Sequence, residues 1–267
     1  MPEEKLARLQ AQLHSWVTRK HCRKHELESL LGHLSHAATV VRHGRTFLRQ
    51  LFPLLPRARG NHHFIHLTAG ARADLLWWKI FLQDWNGRSF FPPATPSIEV
   101  TSDASGSFGC GAFSLNHGWF QLEWPESWRT ANIAAKELVP IVLAASLWGP
   151  CWHRKCIQFQ SDNMAVVDIL RSRTSRDPLL MHLLHCLVFY AAVYHFNFSA
   201  EHLPGTHNSA ADALSRNNLT LFSSLIPQIQ QVPIPRPVRD LLVETRPDWG
   251  SHNWTVMFRN CWIRASL

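Results

Sequence analysis

The chain has 267 residues, 46% of them hydrophobic and only 17% charged. This excludes an intrinsically disordered segment and allows one large domain or two small ones that need no disulfide or metal staples. Six scattered cysteines (Cys22, Cys110, Cys151, Cys156, Cys186 and Cys261) form no C-x-x-C pair, which argues against a disulfide framework and against a zinc ribbon. The net charge of +8 is concentrated at the start: residues 1–60 carry eleven basic and four acidic side chains, whereas residues 97–216 carry eight basic and ten acidic. That split fits a basic arm for a polyanion beside an acid-containing domain for cations; a solvated basic helix would account for the arm equally well.

In chain order, the spacing predicts a helix from Glu3 to His21 and a second from Lys24 to Leu51, with Leu27, Leu30, Leu31, Leu34 and Ala38 on one face. Pro53 and Pro56 break the pattern. A third helix is expected from Thr68 to Trp85, closed by Asn86-Gly87 and a proline-rich linker ending at Pro96. Three β-prone runs follow: Ser97–Ser102, Gly109–Leu115 and Gly118–Trp124, the last two joined by Asn116 and His117 as a hairpin. Then come a helix Asn132–Trp148, a strand Lys155–Gln160, a helix Met164–Arg171, an apolar helix 178–195, a strand Asn197–His202 and a helix from Ser209. This order implies a mixed α/β fold, a five-stranded sheet of three antiparallel and two parallel strands flanked by helices and preceded by a helical segment.

The apolar helix is interrupted by His182, His185 and His195, and the amino terminus lacks a signal-peptide core. A buried helix in a soluble intracellular protein is expected, with no membrane partner. The expected domains are 1–90, 97–220 and a tail at 221–267. In that tail four prolines between Pro227 and Pro237 read as a linker, and Trp249, Trp254 and Trp262 mark one short helix.

Four acids stand at element boundaries of the second domain. Asp103 ends the first strand, Glu137 lies in the crossover helix, Asp162 ends the fourth strand and Asp212 lies in the last helix. A right-handed crossover makes the first and fourth strands parallel neighbours, so Asp103 and Asp162 meet on one edge with the strands about 5 Å apart. Glu137 borders the stripe of Leu138, Ile141, Val142 and Ala145 and so points toward the sheet. Carboxylates that close repel unless a cation lies between them, and hard oxygen ligands suit Mg2+ or Mn2+. Taken singly, each acid reads as a helix cap or an exposed charge; the four together in this order do not. Pro140 removes the hydrogen bond to Lys136, which predicts a helix that starts late or bends.

The motifs TSDASGSFGCGA at 101–112, KEL at 136–138, QSDN at 160–163 and HLPGTHNSAADALSR at 202–216 resemble a type 1 ribonuclease H domain. They are closest to the domains joined to reverse transcriptases of long-terminal-repeat and DIRS-like retrotransposons. The resemblance covers about residues 97–220, and its last motif is the most specific. It implies that Asp103, Glu137, Asp162 and Asp212 are metal ligands for two Mg2+. It also implies that His202 is the loop histidine assisting proton transfer or product release, with His207 as the other candidate, and that Asn208 caps the last helix.

Residues 24–52 resemble the thumb and connection segment that precedes ribonuclease H in the same elements. No aromatic is followed by an Asp-Asp pair, so no polymerase site is expected, and the chain reads as the carboxyl-terminal part of a retroelement polyprotein. Lys20, Arg23, Lys24, Arg42, Arg45 and Arg49 are candidate phosphate contacts on the basic arm. His21, Cys22 and His25, with His62, His63 and His66, invite a zinc site but lack a second cysteine pair, so stacking or hydrogen bonding is the favoured reading. Trp77, Trp78 and Trp85 are assigned to the core rather than to base stacking.

The resemblance therefore implies two-metal hydrolysis of the RNA strand of an RNA–DNA hybrid, with Glu137 sensing the ribose 2′-OH. Two alternatives stay open, a non-catalytic nucleic-acid-binding module and a DNA nuclease or recombinase of the same fold. Two bound Mg2+ would turn the net charge of residues 97–216 from −2 to +2.

Overall fold

A computed structural model describes residues 1–84, 95–236, 238 and 239, which belong to two compact units divided between residues 84 and 95. Trp85, most of the linker before Pro96, and the tail with Trp249, Trp254 and Trp262 lie outside the described residues.

The first unit contains α1 (Glu3–Trp16), β1 (His21–Arg23), α2 (Lys24–Ala37), β2 (Phe64–His66) and α3 (Ala69–Asp84), with 3-10 turns at Arg42–Leu48 and Phe52–Arg57. The first helix stops at Trp16 rather than His21, because residues 20–23 are taken by the antiparallel β1–β2 pair: Leu67 donates its amide to the Lys20 carbonyl at 2.9 Å. The second helix ends at Ala37 rather than Leu51. The β-branched run Thr39-Val40-Val41 disfavours its continuation, and Gly44 lies where a Cβ would meet the Trp78 ring at 2.3 Å. Leu27, Leu30 and Leu34 are fully buried on the predicted face. Trp77 and Trp78 are core residues as expected: Trp77 stacks on Phe47 at 3.8 Å, and Trp78 Nε1 donates to the Phe47 carbonyl at 3.2 Å.

The second unit contains β3 (Ile98–Ala104), β4 (Gly109–Ser114), β5 (Gly118–Glu123), α4 (Ile133–Trp148), β6 (Cys156–Ser161), α5 (Met164–Ser172), α6 (Pro178–Val193), β7 (Asn197–His202), α7 (Ser209–Ser215) and α8 (Leu219–Leu225). The sheet order is β5-β4-β3-β6-β7; β5-β4-β3 are antiparallel, and β3-β6-β7 are parallel. This is the mixed α/β fold expected from the element order, a five-stranded sheet of three antiparallel and two parallel strands. Asn132 caps α4 by accepting from the Ala134 amide at 2.9 Å. Asp177 caps α6 through the Leu179 and Leu180 amides, with Pro178 pre-set at the first helical position.

α4 and α6 pack on each other and are buried along nearly their whole length. Pro140 neither delays nor ends α4, which begins well before it at Ile133. The stretch Ile133–Trp152 is long and apolar enough to cross a membrane, but 83% of its most apolar window is buried inside the unit.

The segment after Pro227 is not a free linker. The Trp119 amide donates to the Gln230 carbonyl at 2.9 Å and Val232 donates back to the Trp119 carbonyl at 2.7 Å, so the chain straps the outer edge of β5. Proline still limits the pairing: Pro227 and Pro233 flank the short stretch whose amides can donate. Gly118, at φ +101°, is required here, since a Cβ would meet the Gln230 carbonyl oxygen at 2.5 Å. Phe222 of α8 packs on Trp119, so the unit continues past the predicted boundary at residue 220. Val232→Pro is expected to remove one strap bond and cost about 1–3 kcal/mol in denaturant unfolding, whereas Val232→Ala costs less. Equal stability of the two variants would show that the strap adds nothing.

Candidate metal centre

Asp103 lies inside β3 rather than at its end, opposite Gly111 of β4, and is 5% exposed. Gly111 lets α7 lie close, because a Cβ there would meet Leu214 at 2.5 Å. Asp162 follows β6 directly, on the parallel neighbour of β3. Glu137 enters from α4 and is also 5% exposed. The three side chains bring one ligand oxygen each to within 4.8 Å of one another. Among the described residues this is the one group of three or more His, Cys, Asp or Glu side chains that converges in this way.

The electrostatics are those of a site short of positive charge. Burial, then the charges of Asp103 and Asp162, raise the Glu137 carboxyl to about 9, although it accepts a bond from the Ala104 amide. Burial raises Asp103 to about 6, opposed by the Ser215 hydroxyl and reinforced by the charges of Asp162 and Asp212. Oε2 of Glu137 is buried without a hydrogen-bond partner. A buried carboxylate oxygen with no donor is costly, and a cation shared with Asp103 and Asp162 would satisfy it. The donor set is three hard oxygens, which fits Mg2+ or Mn2+.

Asp212 stands apart from this trio. Its carboxylate pairs with Arg216 Nε at 2.6 Å, one helical turn on, and its side chain is 44% exposed. Its charge still reaches Asp103 and Glu137. His202 closes β7 and donates from Nε2 to the Asp162 carbonyl at 3.1 Å, which ties the loop before α7 to the end of β6. His207 is exposed in the 3-10 turn Gly205–His207.

Asn208 corrects the sequence reading. It occupies the N-cap position of α7, but its side chain makes no cap bond. It is 1% exposed, and its Nδ2 donates to Asp103 Oδ1 at 3.2 Å and to the Ser102 carbonyl at 3.4 Å. Sequence reasoning also missed Lys136, 2% exposed, whose Nζ donates to the carbonyls of Gly106 at 2.7 Å and Arg129 at 2.9 Å. Lys136 thereby fixes the loop after Asp103 against the segment leading into α4. A lysine beside Glu137 carries no signal of burial in the sequence alone.

In the first unit, Lys20 and Arg23 are exposed at β1 and Lys24 pairs with Glu28 at 3.8 Å, while Arg45 and Arg49 are exposed at the turn Arg42–Leu48. The side chain of Arg42 lies outside the described set. The histidine cluster forms no zinc site among the described residues. His21 and Cys22 face opposite sides of β1, and the histidines pair as rings instead: His21 with His66 at 5.0 Å and His25 with His62 at 5.7 Å.

Fold and site together define a mixed α/β domain in which two neighbouring parallel strands and α4 bring together three carboxylates, Asp103 and Glu137 buried and Asp162 partly so. No family model and no curated protein matches the chain. Among solved structures it is similar to RNase H1 from the halophilic archaeon Halobacterium salinarum, with 17% identity over 46% of this chain and 97% of that one and a TM-score of 0.35. It is also similar to the foamy viral protease-reverse transcriptase. The complex with an RNA/DNA hybrid has 15% identity, a TM-score of 0.29 and coverage of 75% of this chain and 27% of that one. The complex with dsDNA has 15% identity, a TM-score of 0.26 and coverage of 69% and 42%.

Proposed function

We propose that the chain is an endonuclease that hydrolyses the RNA strand of RNA–DNA hybrids with divalent cations, and that it derives from a retrotransposon polyprotein. The observation that carries this reading is the trio Asp103, Glu137 and Asp162, each with a carboxylate oxygen within 4.8 Å of the others, together with a buried Glu137 oxygen that has no hydrogen-bond partner. These three would hold the metal, with Asp212 as a further ligand once released from Arg216. When bound, Mg2+ or Mn2+ would supply an ionised water and charge stabilisation at the scissile phosphate.

The residues around the trio set its aim. Asn208 holds the Asp103 carboxylate in place through its amide. His202, with Nε2 committed to the Asp162 carbonyl, offers Nδ1 to take or give a proton. Glu137 would read the ribose 2′-OH that separates RNA from DNA. Lys20, Arg23, Lys24, Arg42, Arg45 and Arg49 would take phosphates of the hybrid without sequence preference.

A labelled hybrid, a DNA duplex of the same sequence and single-stranded RNA, each with Mg2+ and with EDTA, separate the readings. The proposal expects Mg2+-dependent cutting of the RNA strand of the hybrid alone. Binding without cutting would make the chain a non-catalytic module, and cutting of duplex DNA would make it a DNA nuclease.

A further inference from the structure

We propose that the exposed face of the β1–β2 ribbon grips an unpaired nucleic-acid strand, with Phe64 stacking on a base and Lys20 and Arg23 taking the flanking phosphates. This reading stands on the first unit alone and does not depend on the metal centre.

The ribbon is short but well anchored. Cys22 and Ile65, paired across it, are 2% and 4% exposed and hold its inner face to the core. The outer face then carries four side chains in two facing pairs, His21 opposite His66 and Arg23 opposite Phe64. Three are rings and one is a guanidinium. Phe64 is 66% exposed, so most of a phenylalanine ring is left in water where burial against a planar group would be favourable. Its neighbour on this face is Arg23, whose guanidinium lies over the ring at 5.7 Å, an arrangement open to a further planar group. His25 and His62 extend the set of rings just beyond the Arg23–Phe64 end, with His25 Nδ1 at the Asn61 carbonyl at 3.2 Å.

Charge selects the occupant. The acids at the start of α2 are already taken: Glu26 by Arg19 at 3.1 Å and Glu28 by Lys24 at 3.8 Å. Neither strand of the ribbon contains an acid, and Lys20 and Arg23 are exposed beside the rings. The face is thus cationic and aromatic, with a single apolar side chain, which suits a polyanion with planar groups better than an aliphatic protein surface. A duplex offers phosphates but hides its base faces in the stack, so the ring would be idle against it. An unpaired strand offers both.

The test uses the full chain carrying Asp162→Asn, in EDTA, so that binding is read without cutting. The probe is a short unpaired oligonucleotide with 2-aminopurine at one position, compared with the same sequence as a duplex and with an abasic strand of equal length. Phe64→Ala should weaken the unpaired strand about tenfold and abolish the quenching of 2-aminopurine, with duplex and abasic binding unchanged. Phe64→Trp should restore affinity and quenching, which excludes a folding defect. Lys20→Gln with Arg23→Gln should weaken all three probes and flatten the salt dependence by about 0.7 per charge on the unpaired strand. Equal binding of the unpaired strand by Phe64→Ala and its parent, or an equal loss on the duplex, would overturn the proposal. Because catalysis is switched off throughout, neither outcome bears on the metal centre.

Discussion

Replacing Glu137 by Gln is expected to stabilise the metal-free protein at pH 8 and to remove its stabilisation by Mg2+. Burial and the neighbouring charges of Asp103 and Asp162 raise the Glu137 carboxyl from 4.5 to about 9, so the folded chain keeps a proton that the unfolded chain releases. Stability is therefore lost progressively as pH rises from about 4.5 to about 9, and Asp103 adds a loss of the same sign between 3.8 and about 6. A neutral amide of the same shape avoids the Glu137 loss. The expected gain at pH 8 in EDTA is on the order of 3 kcal/mol, about 5–10 °C in melting temperature. Fully buried Asp74, whose carboxyl is also raised by burial, contributes a like-signed loss in the first unit, but it is common to both proteins and cancels in the comparison. Melting curves from pH 5 to pH 9 decide the matter: a wild-type curve parallel to that of Glu137→Gln would show that Glu137 is not held protonated.

The second large effect is on cleavage. Asp103→Asn and Asp162→Asn each remove a charge from the trio, and each is expected to lower hybrid cleavage at least about a thousandfold, since the lost stabilisation of the reacting phosphate amounts to several kcal/mol. Asp212→Asn should cost less, about ten- to a hundredfold, because its carboxylate stands outside the trio and is paired with Arg216. Single-turnover rates with Mg2+ would measure all three. Full activity in Asp103→Asn or Asp162→Asn would remove the catalytic reading, and an equal loss at all three positions would mean that Asp212, once released from Arg216, matters as much as the trio.

Much of the second unit was legible because its signals are periodic and local. The alternating runs, the hairpin through Asn116 and His117, and the right-handed crossover placed β3 beside β6, and from that alone Asp103 falls next to Asp162. The stripe on α4 placed Glu137 toward the sheet. What was not legible depends on tertiary contact. Asn208 looks like a helix cap in sequence, and only the approach of α7 over Gly111 turns its amide onto Asp103.

Other misses share that cause. The strap on β5 was hidden because proline density argues against pairing, while Gln230 and Val232 pair over a stretch too short to register as a strand. The early end of α2 has no glycine or proline to announce it; β-branched residues and the packing of Gly44 on Trp78 set it. The pairing of Asp212 with Arg216 competes with the ligand role proposed for it, and the motif contains both residues without ranking the two uses.

The central claim is that Asp103, Glu137 and Asp162 form a cation site, and calorimetric titration of Mg2+ in two buffers of different ionisation enthalpy tests it most directly. At pH 7.5 the Glu137 carboxyl, raised to about 9, must lose its proton as the cation enters. Saturable binding that releases about one proton, and the loss of that release in Glu137→Gln, is the predicted result. Binding that is unchanged in Glu137→Gln and in Asp103→Asn, or that releases no proton, would contradict it.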